Sequence, residues 1–300
     1  MTTIDYDALF EAHRRDVWGV CYRMTGSASD ADDLLQETFA RAMERPPADL
    51  SRPWRPWLIQ VAVNQARDLL RARRRRGYVG VWLPEPVQLP DLTTPPPSGR
   101  YERLESATLA FLAAIEALTP QQRAILLLRD ALDYSTAEAA QALSISEANV
   151  KTTLHRARKR MEGYDRQRCR PTPATAELTR AALRDFLMAV AAGDSDAMAS
   201  MLTEDALYAG DSDGRYWNAT RVLRGRERVL TFLLGVSSKH AAPPTRIEEI
   251  TCNGLPAALI EVAAHHPRIA PRFIFQITRA PQGGLERLFI ISAPDKLTAW

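Results

Sequence analysis

One stretch, Leu118–Met161 (LTPQQRAILLLRDALDYSTAEAAQALSISEANVKTTLHRARKRM), constrains this chain more than any other, because its helix punctuation demands three short helices with sharp corners. Thr119-Pro120 predicts a helix start: Thr has a side-chain oxygen for the cap, and Pro lacks an N–H where the first helical position leaves it unsatisfied anyway. Ser135-Thr136-Ala137-Glu138 has the reciprocal spacing of a capping box, so a second helix begins there. Ser146 can cap a third, from about Glu147 to Arg160. Ala140 is small enough to let two helices cross closely, and Val150 supplies an apolar plug at the crossing. The turn position that usually holds Gly is Ser144 here, and a non-Gly residue at positive φ is uncommon. The third helix carries Lys151, His155, Arg156, Arg158, Lys159 and Arg160. A helix this basic behind a tight turn suits the major groove of DNA. The plainer alternative is a helical hairpin with a solvated basic face.

Three hundred residues suggest two or three domains, and an apolar fraction of 46% supports folded cores. Net charge is only +3, with 39 Lys+Arg against 36 Asp+Glu, but the positive charge is concentrated. Arg71, Arg73, Arg74, Arg75 and Arg76 make one patch and Lys151–Arg160 another, which points to two contacts with a polyanion. Cys21, Cys169 and Cys252 are far apart, with no metal or redox spacing, so ordinary thiols, no metal and no cofactor are expected. The N-terminus lacks an apolar signal core and no run approaches a membrane span, so a cytoplasmic protein without a membrane partner is expected.

Tyr6–Thr25 places Leu9, Phe10, His13, Val17, Val20 and Cys21 at helical spacing, and Gly26-Ser27-Ala28-Ser29 interrupts it. A second helix is expected over Asp30–Met43, starting at Ser29 or Asp30, with Asp30, Asp32 and Asp33 where the helix dipole favours acids. A third runs roughly from Trp54 to Arg75 and ends in the arginine run. Residues 78–101 are Pro-rich and read as an extended, semi-rigid linker. Tyr78, Val79, Val81, Trp82 and Leu83 are too apolar for a spacer, so Trp82-Leu83-Pro84-Glu85-Pro86 is expected to dock on a folded surface. Helices over Glu102–Leu118 and onward open the next domain. A shorter linker, Arg168–Thr175, precedes helices over Ala176–Ala191 and Ser195–Leu202. Strand-like runs follow at Ala206–Tyr208, Ala257–Ala264, Arg272–Thr278 and Glu286–Ser292, with turns at Asn253-Gly254 and Gln282-Gly283-Gly284. Helices followed by a curved antiparallel sheet is an α+β pattern. The expected domains are residues 1–77, 78–101 (linker), 102–166 and 176–300.

Residues 1–165 resemble a bacterial RNA polymerase sigma factor of the extracytoplasmic-function type. The segment Asp30–Phe39 (DADDLLQETF) resembles the helix that binds the core polymerase clamp. Trp57–Asp68 (WLIQVAVNQARD) resembles the helix that reads and melts the minus-ten element, and Leu118–Met161 the domain that reads the minus-thirty-five element. Trp82-Leu83-Pro84-Glu85-Pro86 resembles the linker signature of the SigJ-like subgroup, whose C-terminal extension is similar to SnoaL/NTF2-like α+β cones. Asp211-Ser212-Asp213-Gly214-Arg215 matches the extension's Asp-Gly motif in part. Ala293-Pro294-Asp295-Lys296-Leu297 matches its Asn-Pro-Asp-Lys-Leu motif with Ala for Asn. The resemblance implies two all-α sigma domains plus a C-terminal cone that regulates them, with no separate anti-sigma factor.

These readings name the expected contacts. For core polymerase they are Asp30, Asp32, Asp33, Leu35, Glu37 and Phe39. For promoter DNA they are Trp54, Asn64, Arg67, Arg71, Arg73, Arg74, Arg75, Lys151, His155, Arg156, Arg158 and Lys159. Asn64 has the donor and acceptor to read a base edge, arginines suit phosphate, and Trp54 and Trp57 can stack on an unpaired base, although core packing suits Trp57 as well. For regulation they are Trp82, Leu83, Pro84, Asp211, Asp213, Gly214, Arg215, Asp295, Lys296 and Leu297. Asp211, Asp213, Arg215, His240, His265 and His266 are candidates for a pocket with an unknown small ligand, but no spacing among them specifies a reaction, so no enzyme is expected. The alternatives are a SnoaL-like enzyme, or a ligand-sensing one-component transcription factor, fused to a DNA-binding module.

Overall fold

A computed structural model describes residues 4–73, 78–88, 100–102, 104–168, 170–240 and 242–300. They form two compact units. One comprises Met1–Gly77, Pro95–Ser106 and Ala114–Glu162, and the other Tyr78–Thr94, Ala107–Ala113 and Gly163–Trp300. The first part of the segment that reads as linker therefore belongs in space with the C-terminal residues.

The first unit begins with three helices: α1 (Tyr6–Thr25), α2 (Ala28–Glu44) and α3 (Trp54–Arg73). Asp5 caps α1 by accepting from the Ala8 N–H at 2.9 Å. Gly26 ends it in the left-handed region, φ 67°. That turn leaves Ser27 free to cap α2 through the Asp30 N–H, so α2 starts earlier than its acidic cluster suggests. Val17, Val20, Leu34, Phe39, Leu58, Ile59, Ala62 and Ala66 fill the space between the three. Each large aliphatic side chain buried this way contributes roughly 1.5–3 kcal/mol.

Residues 102–118 form less helix than their pattern suggests, a 3-10 turn at Glu105–Ala107 and then α4 (Leu109–Ile115). Next come α5 (Pro120–Leu126), a π-helical turn at Leu127–Ala131, α6 (Thr136–Leu143) and α7 (Glu147–Asp165). The expected Ser135–Glu138 capping box forms, and the expected Thr119 cap proves to be a capping box as well, with Gln122. Ser144 adopts φ 53°, ψ 47° at the end of α6. Val150 is fully buried and Ala140 is 7% exposed, as a close helix crossing requires.

The second unit is built on a mixed sheet of six strands in the order β2-β1-β6-β5-β4-β3. The strands are β1 (Leu202–Asp211), β2 (Leu223–Arg224), β3 (Pro244–Cys252), β4 (Leu255–Val262), β5 (Arg272–Arg279) and β6 (Leu285–Ile291). All pairs are antiparallel except β1 with β6, which is parallel and corrects the all-antiparallel expectation. A parallel pair needs a long connection, and here β2 to β5 all lie between the two strands in sequence, out of reach of local periodicity. The helices α8 (Pro173–Ala192), α9 (Ser195–Met201) and α10 (Arg226–His240) cover one face. Leu183, Phe186, Met198, Val229 and Leu233 pack there on Tyr208, Ile260, Phe275, Ile277 and Leu288. The strand β3 and the helix α10 escape sequence reading for physical reasons. The strand is charged and largely exposed, and the helix buries only Val229 and Leu233 fully. Asn253 and Gly254, at φ 52° and 76°, turn β3 into β4.

Candidate nucleic-acid interface and the buried linker

The outer face of α7 presents Lys151, His155, Arg156 and Lys159, all exposed, while Leu154, Ala157 and Met161 face the core. The side chain of Arg158 turns away from that row. It donates to both carboxylate oxygens of Asp130 at 2.9 and 2.6 Å. Asp130 is 1% exposed, and its backbone carbonyl accepts from the Tyr101 N–H. The bond to Asp130 raises the Arg158 pKa, so this residue, expected among the DNA contacts, has a buried acid of its own unit as partner. Arg160 donates to the Ala117 carbonyl and to Gln122.

On α3 the Asn64 amide donates to the Gln60 carbonyl and to the Ala142 carbonyl of α6, both at 2.9 Å. Its oxygen accepts from Arg67 at 3.0 Å. Burial, then repulsion by Arg71, lowers the Arg67 pKa. Arg71 pairs with Asp68 at 3.0 Å, and Arg73 pairs with Asp30. Trp54 and Trp57 meet edge to face at 6.0 Å and are both half-buried. Arg74 and Arg75 lie outside the described residues.

The acidic side of α2 is partly engaged. Asp32 accepts from the Trp18 indole at 2.7 Å, and Glu37 lies 3.9 Å from Arg41. Asp33 and Glu37 are exposed and Leu35 is half-buried. Phe39, expected among the polymerase contacts, is buried edge to face against Phe10 at 4.9 Å, beneath that surface.

The most connected polar site lies within the second unit, where the linker meets the end of β1. Asp211 is fully buried. Its carboxylate accepts from the Tyr78 hydroxyl at 2.6 Å, the Leu83 N–H at 2.7 Å, the Lys296 ammonium at 2.6 Å and the Asp213 N–H at 3.2 Å. Lys296 also donates to the Leu83 carbonyl and sits 4.2 Å above the Trp82 ring. Burial and the bond to Asp211 push the Tyr78 pKa up. Gly214, at φ 68°, lies so close to Val79 that a side chain there would collide. Further along, Val87 exchanges hydrogen bonds with Asn253, and Trp300 donates to the Pro86 carbonyl. The buried amide of Asn253 also donates to the Ala107 carbonyl at 2.7 Å. Pro84 and Leu297 are buried, whereas Arg215 and Asp295 form an exposed pair at 3.2 Å. Asn253, Tyr78 and Asp130 are absent from the sequence-derived sites. Asn253 carries a signal as half of an Asn-Gly turn, and Tyr78 as one of the apolar residues unsuited to a spacer, whereas Asp130 carries none.

A pocket of about 460 Å³ opens beside this site, lined by Tyr216, Glu261, Val262, Arg272, Pro294 and Leu297 among others. None of Asp211, Asp213, Arg215, His240, His265 and His266 lines it. His240 and His266 instead stack on Trp217. Among the described residues no cluster could hold a metal ion, and no helix is long and apolar enough to cross a membrane.

Residues 9–76 match the family model for sigma-70 region 2, and residues 108–161 that for sigma-70 region 4. The extracytoplasmic-function sigma factor SigJ of Mycobacterium tuberculosis is 36% identical over 234 residues, 77% of this chain and 73% of that one. The chain belongs to the extracytoplasmic-function RNA polymerase sigma factors. SigG of the same organism is 32% identical over 284 residues, 87% of this chain and 74% of that one. The crystal structure of M. tuberculosis SigJ superposes with a TM-score of 0.74 at 30% identity, covering 97% of this chain and 98% of that one. This sigma factor therefore carries two helical sigma regions and a C-terminal α+β domain built on a six-stranded mixed sheet. Its function is promoter-directed transcription initiation, and its family binds core polymerase and promoter DNA and is not a class of enzymes.

Proposed function

We propose that the surfaces described above divide the work of a sigma factor. The exposed acids of α2, Asp33 and Glu37 with Leu35, contact core polymerase, since a charged rim around an apolar residue suits a protein interface. The row Lys151, His155, Arg156 and Lys159 enters the major groove upstream, and Asn64, Arg67 and Trp54 meet the minus-ten region. The exposed cationic row of α7, and the half-buried amide, guanidinium and indole of α3, support this assignment.

The C-terminal cone acts by contact, not by catalysis, and its grip on the linker regulates the sigma regions without a separate anti-sigma factor. The observation that carries this reading is the buried Asp211, which gathers donors from Tyr78, Leu83, Asp213 and Lys296. A fully buried carboxylate serving a linker backbone fixes that linker to the cone, and the cone core behind it is filled with apolar side chains. The test is transcription in vitro with full-length protein, a chain ending before Ala176, and Trp82→Ala, at matched concentration and after checking core polymerase binding. The reading expects changed promoter output in both altered proteins. Identical output from all three overturns it.

A further inference from the structure

The strand β3 ends the sheet, and among the described residues no further strand pairs with its outer edge. Of its nine residues Pro244, Thr245, Arg246, Ile247, Glu249 and Thr251 are exposed, and Ile247, 55% exposed, is among the largest apolar side chains in contact with solvent. An uncovered edge strand is a template for another strand. Its pairing with β4 sets Ile247 opposite Ile260 and Glu249 opposite Ala258, on the helix-covered face. Arg246 and Glu248 therefore share the other face, where they form an ion pair at 2.5 Å.

We propose that this edge pairs with itself, joining two copies of the chain antiparallel along β3. Side chains directly opposite in an antiparallel pair lie on the same face, so a two-fold axis through the sheet must pass through a residue. Centring on Arg246 sets that arginine against itself, and centring on Glu248 or Glu249 sets a glutamate against itself. Centring on Ile247 sets Arg246 against Glu248 of the second copy, and Glu248 against its Arg246. The same register sets Ile247 against Ile247 and Thr245 against Glu249. It is the central register in which opposite charges meet twice, no like charges face each other and the exposed apolar residue is covered. The complementarity is that of β3 with its own sequence, which is why the occupant is a second copy and not an unrelated strand. One strand pair buries little area, so the dimer is weak, with a Kd on the order of 10–100 µM.

The experiment is sedimentation equilibrium of the full chain from about 1 to 500 µM, a range set by that affinity. Wild type should pass from monomer to dimer. In this register Arg246→Glu sets glutamate against glutamate twice and Glu248→Arg sets arginine against arginine twice, so each alone should dimerise at least about tenfold more weakly. Mixed one to one, they should associate as tightly as wild type or better, because each acidic position now meets a basic one. Circular dichroism and melting temperature establish that the exposed substitutions leave the fold intact. A wild-type protein that stays monomeric throughout, variants that self-associate like wild type, or folded variants whose mixture stays monomeric would each overturn the proposal.

Discussion

The buried carboxylate at the linker gives the sharpest energetic prediction. Asp211→Asn keeps the shape but exchanges one acceptor oxygen for an NH₂ that only donates. At least two of the four donors around Asp211 then lose their acceptor. Lys296, whose side chain is 12% exposed, loses its counter-charge. Removing one partner of a buried ion pair costs about 3–5 kcal/mol, because the other charge stays buried and uncompensated. The cost falls on linker docking, so it is read best by hydrogen exchange at the Leu83 amide, which donates directly to Asp211. An opening free energy lowered by that amount speeds exchange roughly 10²- to 4 × 10³-fold, until opening becomes complete. Asp211→Asn combined with Lys296→Met removes both charges and should recover a large part of the loss. Asp295→Asn is the control: its pair with Arg215 is exposed, and such pairs contribute about 0–1 kcal/mol. Unchanged Leu83 exchange in folded Asp211→Asn, or equal loosening by Asp295→Asn, would refute the argument.

Three further outcomes follow from the same geometry. Arg156→Ala should relax one upstream promoter position by about 1–3 kcal/mol in competition binding, whereas Arg158→Ala should lower stability with little change in sequence preference, because Arg158 is engaged by Asp130. Ser144→Gly should stabilise the protein by up to about 1 kcal/mol in chemical denaturation, since Ser144 sits at φ 53°. Glu286 is 1% exposed, and neither carboxylate oxygen has a hydrogen bond, although Arg287 lies at 3.3 Å; burial raises its pKa. A carboxyl whose folded pKa is raised favours the fold when protonated, so its contribution is full below the ordinary value of about 4.3 and is lost as pH rises through the elevated one. Glu286→Gln should therefore stabilise the protein at neutral pH and flatten the pH dependence in that window; a variant less stable than wild type at pH 7 would contradict this.

Local chemistry made the sigma regions legible. The Thr119 and Ser135 caps, the Ser144 turn and the Val150 plug are decided by residues within a few positions of one another, and they form as expected. The docking of Trp82-Leu83-Pro84 could be anticipated because large apolar groups between prolines have little reason to stay in water. Its acceptor, Asp211, is far away in sequence and was reached only through the resemblance of Asp211–Arg215 to a family motif, which does not say which group it binds. The partner of Arg158 was hidden for a similar reason. The neighbours of Arg158 place it on a basic face, but a buried Asp130 from another element captures it. Phe39 was read by its place in a motif, while helix phase turned it toward Phe10. The parallel pairing of β1 with β6 depends on the whole intervening chain, so no window of sequence contains it.

The bond between Asn64 and α6 has a consequence for promoter choice. An amide nitrogen has two protons, and here Gln60 and Ala142 take both. If Asn64 reads a base, as we propose, the same atoms cannot serve DNA and α6 together, so base reading draws only on molecules in which that bond is broken. Apparent affinity for every promoter is then the intrinsic affinity scaled by the fraction open. A uniform scaling leaves the ranking of promoters unchanged but pushes weak ones below the threshold of occupancy first. Substituting Ala142 cannot remove a backbone carbonyl, but any change that tilts α6 away from α3 should widen the set of promoters the protein uses while leaving its preferred sequence the same.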